Sequence, residues 1–208
     1  MTPRITLLAI SGSLRAASSN SAIVEAAVLA APPEIEVHLY RELASLPPFN
    51  PDLEAVETPA PVAEWRAALR AASAVLISSP EYAHGVPGVL KNALDWVVGS
   101  GEFMGKPVAL VNASAYSAFV TTQLRETLTV MMATVVVATA LPLEGRPSVA
   151  GDVVAQPAAR DALAAVLAPH NLKEEQVLYP WFDRVLDAAE KSDLLERMRS
   201  ASSEDPAG

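Results

Sequence analysis

"ITLLAISGSLRAASSN", residues 5–20, changes character halfway along. Ile5 to Ile10, aliphatic apart from Thr6, has the length and composition of a strand buried on both faces of a parallel sheet. Ser11 to Asn20 is small and hydroxyl-rich, with Arg15 as its single cation. A buried strand that runs into a polar loop and then into a helix is the opening unit of an α/β domain.

The same unit recurs outward from this stretch. Further apolar runs lie at Ile35–Tyr40, Ala74–Ile77, Val108–Val111 and Val135–Ala138. Between them the apolar residues take helical spacing: Ser21–Ala31 after the first run, Trp65, Leu69 and Ala72 before the third, Leu90, Leu94 and Val97 after it, and Leu124, Leu128 and Met131 after the fourth. Strand and helix alternating to five strands predict a doubly wound α/β domain with right-handed crossovers. Five strands favour the flavodoxin-like order 2-1-3-4-5, a five-stranded parallel sheet between helices. Ligands of such sheets bind outside the carboxyl ends of the strands, and the loops after strands one, three and four are where this chain turns polar. Residues 46–65, "LPPFNPDLEAVETPAPVAEW", carry five prolines and are expected to form an ordered loop, with no long helix before about Pro61 and with Leu46, Phe49 and Leu53 to bury.

The first loop allows two readings. Ser11, Gly12 and Ser13 place hydroxyls and backbone N–H groups at a helix N-terminus, where unpaired donors and the helix dipole hold phosphate. Ser18, Ser19, Asn20 and Ser21 are also good N-cap residues, so an ordinary capped turn explains part of the same pattern. Neither the Gly-x-x-x-x-Gly-Lys-Ser/Thr loop nor the three-glycine dinucleotide fingerprint is present. A monophosphate ester, held by serines and forked by Arg15, therefore fits better than a triphosphate or a pyrophosphate.

Bulk properties narrow the partners. The chain has 208 residues, 51% hydrophobic and 19% charged, enough for one well-buried domain, taken as residues 1–168, with a helical extension over 169–208 that ends in a frayed terminus. A net charge of −9, with 15 Lys and Arg that form no cluster, argues against nucleic acid and against an acidic membrane surface. The absence of cysteine removes disulfides, thiolate metal sites and cysteine nucleophiles. The first apolar run is too short for a signal-peptide core or a membrane span, and the expected location is cytoplasmic.

A second polar loop follows the third run: "SSPEYAHGVPGVLKNALDWVVGSGEF", residues 78–103. Pro80 ends the strand, and Gly85, Pro87 and Gly88 shape a turn from which Tyr82 and His84 project at the sheet's carboxyl edge. Together with "GSLRAASSN", this loop resembles the NADPH-dependent FMN reductase family, whose pattern is Gly-Ser-Leu-Arg, Ser-x-Asn, then Pro-Glu-Tyr-Asn-x-Ser-x-Pro-Gly-x-Leu-Lys-Asn-Ala-Ile-Asp-Trp. The resemblance covers residues 4 to about 168. It implies that Ser13, Arg15, Ser18, Asn20 and Ser21, with Ser11 beside them, surround the phosphate of a bound FMN. Pro80, Glu81, Tyr82, Ala83, His84 and Gly85 would then lie along the isoalloxazine, and Asn112, Ser114, Ala115 and Tyr116 of "NASAYSAF" would add ring contacts. Ala83 and Gly85 stand where the family has Asn and Ser. Lys91, Asn92, Asp95 and Trp96 are expected to hold structure or an interface.

Flavin carries the redox chemistry itself, so the resemblance needs no catalytic side chain. It implies NADPH or NADH as co-substrate and a ping-pong transfer to a small-molecule electron acceptor: a quinone, a free flavin, an azo compound or a metal oxyanion. Apolar residues beyond one stripe around Phe119 to Met132, with the family's habit, imply a homodimer or homotetramer. Residues 170–198 resemble the later half of a hemerythrin-like domain, where His170 and Glu174 stand one helical turn apart. With only His38, His84 and His170 in the chain, no metal site is assigned. Two other function classes stay open at this point: an FMN-binding electron carrier without catalysis, and a metal-binding or assembly protein built on the C-terminal helices.

Overall fold

Five strands form one parallel sheet in the order β2-β1-β3-β4-β5, as expected from the alternation. They are β1 (Ile5–Ser11), β2 (Ile35–Tyr40), β3 (Ala74–Ser78), β4 (Pro107–Asn112) and β5 (Thr134–Ala140). The computed structural model describes residues 5–168; the extension over 169–208, with His170 and Glu174, lies outside the described residues. β3 and β4 are buried along their whole length, as near-continuous aliphatic runs should be when helices cover both faces of a sheet. β2 and β5 are the edges. β2 alternates between buried and more exposed positions at its start, as an edge strand can.

Three helices, α3 (Ala60–Ala71), α4 (Gly88–Asp95) and α5 (Ala118–Val130), close one face through Trp65, Leu69, Leu90, Leu94, Leu124 and Leu128. α1 (Ser19–Ala30), α6 (Ala150–Val154) and α7 (Pro157–Val166) close the other through Ile23, Val24, Val153 and Leu163. The alanine-rich rhythm after β5 does not announce α6 and α7. Each fully buried Leu or Ile in these layers contributes about 1.5–3 kcal/mol relative to exposure.

The proline-rich stretch departs from the expected loop. A short helix, α2 (Pro51–Val56), occupies it, with Pro51 in the first turn and Asn50 capping it through Oδ1, which accepts from the Asp52 N–H at 2.9 Å. Leu46 is buried, but Leu53 is 45% exposed and Phe49 meets Trp96 edge-on at 5.1 Å. What fastens the stretch is α4. Asn92 accepts from the Phe49 N–H at 2.7 Å and donates to the Pro47 carbonyl at 2.9 Å, and the Trp96 indole donates to the same carbonyl at 2.7 Å. Lys91 and Asp95 pair one turn apart on the same helix. These four residues therefore do structural work in the described chain.

Candidate functional site

β1 ends beside β3, and Gly12 continues the pairing by donating to the Ser78 carbonyl at 2.8 Å. The chain then leaves the sheet and returns as α1, capped by Ser18, whose Oγ accepts from the Ser21 N–H at 3.3 Å. Short hydroxyl bonds fix the loop between: Ser11 and Ser21 Oγ lie 2.9 Å apart, the Ser13 N–H donates to Ser11 Oγ at 3.2 Å, and the Arg15 N–H donates to Ser13 Oγ at 3.3 Å. Asn20 is buried and its Oδ1 accepts from Ser78 Oγ at 2.9 Å, which ties the loop to the end of β3.

A cavity of about 230 Å³ opens against this loop, and Ser11, Ser13, Arg15 and Ser21 line it. Ser18 and Asn20 do not; the hydroxyl of one and the carboxamide oxygen of the other are engaged within the protein. The Arg15 side chain is exposed and makes no ion pair with any described residue. The lining also includes residues that the motif does not contain: Tyr40, the last residue of β2, Arg41 just after it, and Glu25 on α1. Arg41 Nη2 lies 3.0 Å from Glu25 Oε1. The rule that ligands sit at the carboxyl ends of strands could have pointed to Arg41, since it directly follows the second strand. Tyr40 packs on Trp65 at 4.6 Å, and its hydroxyl has no hydrogen-bond partner among the described residues. Burial first, and then the charges of Glu42 and Glu64, push this phenol up to about 12, so it is a neutral wall.

The second loop adds a tight two-residue turn. Tyr82 and Gly85 exchange backbone hydrogen bonds at 3.1 and 2.9 Å across Ala83 (φ 48°) and His84 (φ 58°). Both central residues at positive φ make it a type I′ turn, a geometry that suits Asn and Gly far better than Ala. Ala83→Asn is expected to stabilise the protein by about 0.5–1 kcal/mol by easing the left-handed backbone, a gain that urea unfolding would register and that Ala83→Val would reverse. Pro80 and Ser79 lead into the turn, with Ser79 Oγ donating to the Pro80 carbonyl at 3.0 Å.

α5 holds this turn in place through a residue that sequence reasoning missed. Gln123 donates to the His84 carbonyl at 3.0 Å and accepts from the Val86 N–H at 3.2 Å. His84 stacks on Phe119, ring centroids 4.1 Å apart and planes 9° from parallel. The Glu81 carboxylate accepts from the N–H groups of Phe119 and Val120 at 3.0 and 3.1 Å, capping α5 from a different loop. No side chain of α5's own N-cap does this. Glu81→Ala is expected to lower stability by about 1 kcal/mol, with Glu81→Gln recovering part of the loss, because an acceptor and a charge at the helix N-terminus disappear together. Thermal unfolding of the two variants checks the order.

Of the third loop, Asn112 is buried, donates to Thr121 Oγ1 and accepts from the Leu141 N–H through its carbonyl at 2.9 Å. Ser114 Oγ accepts from the Tyr116 N–H at 3.2 Å, and Tyr116 itself is 92% exposed. Neither Pro80–Gly85 nor Asn112–Tyr116 lines the cavity at the first loop. Among the described residues no group of three or more His, Asp or Glu stands close enough to hold a metal ion, and no helix is long and apolar enough to cross a membrane.

The chain is similar to known proteins over part of its length. It is 42% identical over 117 residues to an NAD(P)H-dependent FMN reductase of Pseudomonas aeruginosa, covering 55% of this chain and 63% of that protein. It is 33% identical over 117 residues to a quinone reductase of Escherichia coli, covering 55% and 62%. The chain thus spans less than two thirds of the length of these relatives. Among solved structures, the flavoenzyme NAD(P)H:(acceptor) oxidoreductase of Paracoccus denitrificans shares the fold with a TM-score of 0.64 at 24% identity, over 83% of this chain and 98% of that one. The sequence profile of NADPH-dependent FMN reductases matches residues 5–146, which include β1 to β5 with the first, second and third loops. The chain belongs to the NADPH-dependent FMN reductase family.

Proposed function

We propose that the protein binds FMN and passes electrons from NADPH or NADH to a small acceptor of the quinone or flavin type, working as a homodimer or homotetramer. One observation carries this reading: at the carboxyl edge of β1 a cavity is lined by three serines and by Arg15, which makes no ion pair with any described residue. The donor set fits a phosphate monoester, which takes hydroxyl and guanidinium donors and a helix N-terminus but needs no metal. Ser11, Ser13, Arg15 and Ser21 would hold the phosphate, with Ser18 and Asn20 fixing the loop. When bound, FMN supplies the centre that accepts hydride from the nicotinamide and returns electrons to the acceptor, the two substrates taking turns.

The remaining work belongs to the chain. Gln123 and Glu81 keep Tyr82–Gly85 at a constant position relative to α5, so the backbone of that turn is a preorganised edge for a flat ring. The His84–Phe119 stack and the exposed Tyr82 offer aromatic faces beside it. Phe119, Val130 and Met132 are exposed apolar residues in and just after α5, and they are the surface on which subunits would meet. The absorption spectrum of the purified protein tests the reading: flavin absorbance that bleaches on adding NADPH and returns with a quinone supports it. A protein that is colourless and takes up no added FMN would remove it, and one that is yellow but inert to both nicotinamides would be an electron carrier instead.

A further inference from the structure

The cavity at the first loop holds a second guanidinium. Arg41 follows β2 directly, so the two neighbouring strands β1 and β2 each deliver one arginine to the same space at the sheet's carboxyl edge. Arg15 makes no ion pair with any described residue, whereas Arg41 rests against Glu25 at 3.0 Å. Glu25 stands one helical turn beyond Ser21 on α1 and also lines the cavity. The pair is wet, with side chains 62% and 32% exposed, and exposed pairs of this kind are weak and readily exchanged.

A phosphate monoester carries close to two negative charges at neutral pH. In a chain of net charge −9, with Glu25 at the cavity wall, one arginine leaves that dianion under-compensated. Two arginines match it. We propose that Arg41 is a second phosphate-binding cation, resting on Glu25 in the free protein and transferring to the phosphate when the monoester enters. Arg41 thus sets how strongly the site prefers FMN over riboflavin, and Glu25 restrains that preference. The inference rests on the FMN reading above.

Fluorescence-quenching titrations of the full chain with FMN and with riboflavin test it without any turnover. Arg41→Gln is expected to raise the FMN dissociation constant about tenfold and to leave riboflavin unchanged. Glu25→Gln is expected to tighten FMN about threefold, again with riboflavin unchanged, because the competing carboxylate is gone. If the FMN-to-riboflavin preference of Arg41→Gln equals that of the wild type while Arg15→Ala still lowers it, Arg41 is only a surface ion-pair partner and the inference is overturned with the FMN reading intact. A wild-type protein that binds neither ligand overturns both.

Discussion

Gly12→Ala is expected to destabilise the protein by about 2–3 kcal/mol and to weaken FMN binding with it. A Cβ at this position would lie 2.7 Å from Ser79 Oγ, 3.2 Å from Ser79 Cβ and 3.1 Å from Leu90 Cδ2. The backbone angle at Gly12 is unexceptional, so the whole penalty is steric. Ser79 could rotate its hydroxyl away only by giving up its bond to the Pro80 carbonyl inside a buried site, and Leu90 is fixed in the core beneath. Both neighbours must therefore move, and Ser79 moves the start of the second loop. Urea denaturation gives the stability change. The double variant Gly12→Ala/Ser79→Gly should recover more than half of it, since the two nearest Ser79 atoms are then absent. A single variant as stable as the wild type would show that the two loops are not packed against each other at this point.

Arg15→Ala has the larger effect on ligand and almost none on fold. Its side chain is exposed and makes no ion pair with any described residue, so thermal stability should change by less than about 0.5 kcal/mol. A guanidinium forked on phosphate is worth about 2–3 kcal/mol, so FMN should bind about 30- to 150-fold more weakly. Riboflavin, which has no phosphate, should bind the variant as it binds the wild type. The wild-type affinity for FMN should also fall as salt rises, more steeply than that of the variant. Equal losses for FMN and riboflavin would place Arg15 against the ring and away from the phosphate, contrary to the assignment.

The fold was legible because its strands are buried on both faces. A strand such as β4 has no solvent side to blur its apolar run, and the polar loops fall at the ends of such runs. Edges and turns were less readable. Pro51 looks like a helix breaker, yet it sits in the first turn of α2, where a missing N–H costs nothing. Leu53 reads as a core residue and is exposed, on a helix none of whose residues is buried.

At the site, the motif gives residue types but not their bonds. The motif puts Ser13 and Ser18 alike around the phosphate; one lines the cavity and the other is one of the N-cap candidates and caps α1. The motif places Glu81 along the ring while its chemistry suits structural hydrogen bonding, and its carboxylate is found on the amides of α5, partners that the motif does not name. Gln123, Arg41 and Glu25 belong to no motif, and only the chain's path brings them to these loops.

The bonds from Gln123 reach only main-chain atoms of the 82–86 segment, the carbonyl of His84 and the amide of Val86. The strut is therefore indifferent to side-chain identity there, and only the left-handed backbone at Ala83 and His84 limits which residues fit. Within that limit a substitution, by drift or by a protein engineer, changes what the platform presents without moving the platform.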